Sequence, residues 1–147
     1  DGVWPEKKDL LSERVRMRVS MADQFSNVDL ARSARARAEL EREVAKLFEQ
    51  VDVVLTPVTT VVSLPAEGPI PPVINGTDAT KTGAEAHLMP ANMCWMPAVS
   101  VPAGFSADGF PVGLQIWCRR FRDDIALRLA RIVEQTMPWP RLAPGYR

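Results

Sequence analysis

A chain of 147 residues can build one hydrophobic core, and its eighteen Lys and Arg balance eighteen Asp and Glu, so it lacks the net positive charge by which nucleic-acid binders attract phosphate backbones. Two cysteines, at 94 and 118, and a single histidine at 87 are too few and too badly spaced for a zinc site. The longest apolar run falls well short of the roughly 20 residues a membrane-spanning helix needs. With no charged, apolar and cleavage regions of a signal peptide at the N-terminus, a soluble cytoplasmic chain is expected, without metal, cofactor, membrane or nucleic-acid partner.

Leu10, Leu11, Val15 and Met17 carry a weak three-and-four periodicity and predict a short first helix, with Arg14, Arg16 and Arg18 facing away or snorkelling. From Asn27 to Val51 the pattern is stronger. Leu40, Val44, Leu47, Phe48 and Val51 share one face while Arg35, Glu39, Arg42, Glu43 and Lys46 take the others, which predicts an amphipathic helix of about six turns. The arginines cluster near 14–18, 32–42 and 119–131, but acids interrupt the second and third clusters, as on solvated helix faces.

The run DVVLTP follows, and Val53 to Thr56 reads as a strand buried on both faces, ended by Pro57, which has no amide proton to continue a ladder. A helix leading straight into such a strand is the grammar of α/β layers. Residues 57–81 break it: five of the thirteen prolines lie between 57 and 72, and structureless loops longer than about 15 residues are uncommon in compact domains unless they are functional or draped over something. Thr82 is expected to cap a helix running through Glu85 and Met89, which Pro90 kinks or ends.

Then comes a hairpin. Val99 and Val101 alternate with Ala98 and Ser100, and Val112, Leu114 and Ile116 alternate with Gly113, Gln115 and Trp117, around a Ser-Ala-Asp-Gly turn in which Gly109 can take positive φ. Phe121, Ile125, Leu129, Ile132, Val133 and Thr136 mark a last amphipathic helix, closed by Pro138 and Pro140. The fold class is thus α/β, with a partial mixed sheet of about three strands flanked by helices. Because sheets usually carry about four to six strands, apolar edges are left over, and they predict either a larger fold or an oligomer.

Residues 82–134 resemble the C-terminal part of the amidase signature family. The resemblance rests on Asn92, Pro97, Ala98, Ser100, Pro102 and Gly104, then Gly109, Pro111, Val112, Gly113, Leu114 and Gln115, and then Leu127, Ala130 and Glu134 in the following helix. The helix ending in Phe48 and the run Asp52 to Pro57 resemble the family's preceding segment, so the likeness covers most of the chain, and residues 1–147 are expected to form one C-terminal portion of an amidase signature domain. Three positions depart: Trp95 stands where the family often has Gly, Cys118 where it often has Gly, and Arg120 where it often has Pro.

The resemblance implies hydrolysis of a linear amide to an acid and ammonia or an amine, by a nucleophilic Ser, a bridging Ser and a basic Lys in a Gly- and Ser-rich stretch upstream. This chain has no two adjacent serines, and none of Lys7, Lys8, Lys46 and Lys81 falls where the match would put the base. No catalytic residue is therefore expected in this chain, which should be inert alone and should meet its small-molecule amide together with the upstream half. The start on Asp-Gly rather than Met fits an excised or processed piece, and equally a true start lying further upstream. The alternatives are a non-catalytic relic or interaction module that pairs its open sheet edge with itself or a partner, and a non-catalytic subunit of an amidase.

The resemblance further places Thr82, Glu85, Met89 and Phe121 in the wall of the acyl pocket, against plain core packing, and lets Trp95 narrow whatever cavity its turn lines. Ser100 lies in a strand without a sharp elbow and reads as packing rather than nucleophile. His87 has no partner carboxylate in the sequence pattern, Asp123 and Asp124 complement a helix dipole, and Asn92 and Gln115 are expected to satisfy buried backbone groups. Cys94 and Cys118 are expected to be buried thiols that act as small hydrophobes.

Overall fold

Ser26 shows how the long helix starts. In the computed structural model, which describes residues 4–66, 68 and 71–139, the Ser26 hydroxyl accepts from the Asp29 amide at 3.2 Å. The Asp29 carboxylate accepts in return from the Ser26 amide at 3.0 Å and its hydroxyl at 2.6 Å. This reciprocal box satisfies amides that the first turn would otherwise leave open, and the Ser26 hydroxyl holds the Asp29 carboxyl below its ordinary range.

The chain divides into two compact units, one up to Glu39 and one from Leu40 onward. The first holds helix α1 (Glu13–Ser20), a 3-10 turn (Met21–Gln24) and the beginning of α2 (Asn27–Leu47). None of its described residues is buried. Surface pairs such as Arg35–Glu39 at 3.0 Å decorate the helix and add little.

The second unit is built on a sheet of β1 (Val53–Pro57), β4 (Ala98–Phe105) and β5 (Pro111–Cys118), in the order β1-β5-β4; β2 (Val73–Ile74) and β3 (Thr77–Asp78) form a separate hairpin. The α/β class and the three strands are as expected. The mixed ordering is corrected, because both pairings are antiparallel. The register sets Leu55 beside Ile116 and Val99 beside Ile116 on one face, and Thr56 and Ser100 beside Gln115 on the other. Against the first face lies α4 (Asp123–Thr136), whose Val133, Leu129 and Ala130 pack on Val101, Leu114 and Ile116. Against the second, Trp117 meets Val44 and Phe48 near the end of α2 together with Ala91 and Cys94, and the Phe48 and Trp117 rings stand edge to face with centroids 5.4 Å apart.

Central position decides burial here. Gln115, Ile116, Trp117 and Cys118 on β5 are all buried, whereas β1, expected to be covered on both faces, is an edge strand with Leu55 54% exposed. In α4 the buried face runs through Ala126 and Val133, while Ile132 is exposed and Phe121 lies before the helix begins. Pro138 follows the C-cap residue Met137, and Pro140 lies outside the described residues.

Two local expectations fail for physical reasons. Residues 57–81 are not without structure: Asn75 (φ 48°) and Gly76 (φ 77°) both take positive φ in the two-residue turn joining β2 to β3, the geometry such tight hairpins require; Pro69 of this segment lies outside the described residues. Nor does Thr82 cap a helix through Met89. Its φ of −93° and ψ of −21° are helical, its side chain caps nothing, and a 3-10 turn (Gly83–Glu85) stops before α3 (Met89–Met93). Pro90 lies in the first turn of α3, where a missing amide proton costs nothing, so it opens that helix rather than ending one.

Candidate active-site wall

Gln115 backs one depression of the second unit. On central β5 and only 4% exposed, it donates from Nε2 to the Thr56 hydroxyl at 3.0 Å and to the His87 carbonyl at 2.8 Å. It thereby ties the turn before α3 to the sheet, as expected of a buried amide. Beside that turn lies a depression of about 320 Å³, lined among others by Thr60, Ile74, Asp78, Thr82 and His87. Asp78 accepts from the Thr80 hydroxyl at 2.6 Å, and this bond holds its carboxyl below the ordinary range. The Thr60 hydroxyl is buried without a hydrogen-bond partner among the described residues. His87 is half-buried, and its backbone carbonyl makes the contact that orders the turn.

The second depression, about 410 Å³, opens between the turn before β4 and the turn before α4, with Asn92, Trp95, Met96, Pro97, Phe121 and Asp123 in its lining. Trp95 (φ 58°) and Phe121 (φ 63°) both occupy the left-handed region, which costs an L-residue roughly 1–2 kcal/mol. Their side chains are 67% and 91% exposed. Neither ring recovers that strain by burial in the core, and strain of this kind tends to collect at functional surfaces.

The sequence-derived wall residues thus fall apart in space. Thr82 lines the first depression, Trp95 and Phe121 the second, and the exposed Glu85 and Met89 line neither. Asn92 is exposed and does not serve as a buried amide. Ser100 sits mid-strand opposite Gln115, and Asp123 and Asp124 occupy the first turn of α4. There Arg122 grips Asp124 at 2.9 and 3.0 Å and lowers its carboxyl.

Cys94 and Cys118 are fully buried thiols. Cys118 donates to the Arg122 carbonyl at 2.9 Å, and burial pushes its thiol up, away from the reactive thiolate.

Sequence reasoning marks Arg120 only as a departure from the family pattern and misses what it holds. Its Nε donates to the Cys94 carbonyl at 2.8 Å and its Nη2 to Glu41 at 2.9 Å. Among the described residues, no group of three or more His, Cys, Asp or Glu could hold a metal ion, and no helix is long and apolar enough to cross a membrane.

Comparison with known proteins adds to this geometry. The model of the Amidase family matches residues 5–127. An acylamidase from Rhodococcus erythropolis is 29% identical over 143 residues, covering 97% of this chain and 30% of that protein. A fatty acid amide hydrolase from Arabidopsis thaliana is 33% identical over 141 residues, 90% of this chain and 22% of that protein. The structure of a bacterial aryl acylamidase of the amidase signature family superposes with a TM-score of 0.76 at 21% identity, covering 93% of this chain and 29% of that one. The chain therefore spans less than a third of the length of these relatives.

Proposed function

This chain belongs to the amidase signature family, and from that premise we propose that it forms the C-terminal portion of an enzyme that hydrolyses a linear carboxylic amide to an acid and ammonia or an amine. In this reading a serine hydroxyl attacks the amide carbonyl, its proton passes by way of a bridging serine and a lysine to the leaving nitrogen, and water then releases the acid from the acyl-enzyme. All three groups come from sequence N-terminal to residue 1. What supports the reading is a family match over residues 5–127 in a chain that has no adjacent pair of serines.

The role left to this chain is scaffold and pocket wall. Thr82 contributes to one side of the acyl pocket and Trp95 and Phe121 to another, with Glu85 in the 3-10 turn after Thr82 and Met89 at the start of α3, the helix that leads to Trp95. The outer edges of β1 and β4, which pair with no strand among the described residues, are where the remainder of such an enzyme would continue the sheet. The buried Thr60 hydroxyl would find its partner there too.

The test compares turnover of simple amides by residues 1–147 alone with turnover by the full-length gene product. The segment alone is expected to give no rate above background and the full-length protein a clear one. Turnover by the purified segment would refute the assignment of the chemistry to upstream groups.

A further inference from the structure

Arg120 occupies an unusual place relative to the two strained aromatics. It directly precedes Phe121 in the chain, and its guanidinium bonds the carbonyl of Cys94, the residue directly before Trp95. The side chain of the residue before one left-handed position therefore holds the peptide before the other, and its second arm is anchored on Glu41 of α2. A guanidinium suits this task because its donors are fixed in a plane and its bonds to a carbonyl and a carboxylate are charge-assisted. The Arg120 and Glu41 side chains are 39% and 34% exposed, so the ion pair by itself is screened and weak. The bond to the Cys94 carbonyl links the two turns across a separation of 26 residues.

We infer that Arg120 is a positioning residue that fixes the gap between Trp95 and Phe121, and through that gap the preference of the site for a flat acyl group over a small one. The inference rests on the proposal that this depression walls the acyl pocket. The two turns leave the paired ends of β4 and β5, where the Cys118 amide donates to the Pro97 carbonyl at 3.2 Å, and the Arg120 side chain adds a tie beyond that pairing, on the residue before Trp95; two exposed rings enclose a planar group best when their separation is fixed before it arrives. A loosened tie weakens binding of the planar group and leaves bond cleavage untouched.

The experiment uses the full-length protein and two amides, benzamide and acetamide. Arg120→Ala should raise KM for benzamide about tenfold while kcat for both amides and KM for acetamide stay within about twofold. Arg120→Lys should recover part of the loss, because an ammonium can satisfy one acceptor but does not reproduce the fork. Glu41→Gln keeps an acceptor and should stay near wild type. Trp95→Gly should raise KM for benzamide at least as much, and the double variant should bind benzamide no worse than Trp95→Gly alone, as expected of residues acting as a unit. An equal change for both amides, or no change at all, would overturn the assignment.

If the wild-type protein hydrolyses neither these nor other amides, the hydrolase reading fails, and the tie is then read on its own by amide hydrogen exchange. Arg120→Ala should speed exchange of the Cys94, Trp95 and Met96 amides about tenfold and leave residues 129–136 unchanged. Uniform or unaltered exchange would show that no such tie exists.

Discussion

Trp117→Ala is expected to destabilise the protein by about 3–5 kcal/mol, measured as a lower denaturant midpoint at unchanged slope. Trp117 is 4% exposed on the central strand and fills the space between that strand and α2, with Phe48 standing edge-on to it. Truncation removes the apolar area and leaves a cavity enclosed by Val44, Phe48, Ala91 and Cys94, backbone-anchored groups that cannot collapse into it. Its indole N–H has no acceptor among the described residues, so Trp117→Phe keeps most of the packing and should cost less than about 1.5 kcal/mol. If both substitutions cost under about 1 kcal/mol, the sheet-to-α2 core is not where stability resides.

The second large effect concerns Gln115. Gln115→Leu should cost about 2–4 kcal/mol, because it strands the His87 carbonyl and the Thr56 hydroxyl beside an apolar side chain. Gln115→Glu nearly conserves shape but reverses one partner's logic: a carboxylate cannot donate to the His87 carbonyl, and burial disfavours its charge. The carboxyl in this variant would have a folded pKa above its unfolded value of about 4.3. Its stability deficit would be absent at lower pH, where the protonated acid donates as the amide did, and would grow as pH rises above that value. Denaturation of Gln115→Glu across pH 3.5–8 checks the sign. A variant that became more stable with rising pH, relative to wild type, would contradict the burial and the donor role assigned to this side chain.

The long helices and the β4–β5 hairpin were legible because their apolar periodicity repeats over several turns or several alternations. Val44 and Phe48, for example, fall on the face that reaches Trp117. Position in the sheet was not legible: Val53 to Thr56 looks like a covered strand, yet burial depends on which strands flank it, and the pairing gives the covered place to β5. Three signals were present and passed over. Asn75-Gly76 marks a tight hairpin, Ser26 three residues before Asp29 marks a helix start, and Pro90 suits the first turn of a helix as well as its end.

For the candidate site, local pattern told less. Trp95 and Phe121 could be singled out one by one, but nothing in the sequence announces that two bulky L-residues will both adopt positive φ and meet across one depression. The tie from Arg120 to Cys94 and Glu41 joins positions 26 and 79 residues apart. Helix and strand periodicity carries no information at such separations. Thr82, Glu85 and Met89 look like one helical face, and the 3-10 turn between them sends them to different surroundings.

On the proposed function the nucleophile lies outside this segment. A fluorophosphonate ester captures an activated serine covalently, so labelling the full-length protein and locating the adduct by peptide mass mapping addresses it directly. The adduct should fall on a serine N-terminal to these 147 residues, with Ser100 and the other serines here unmodified. An adduct on any serine of this segment would place the chemistry within it and overturn the proposed function.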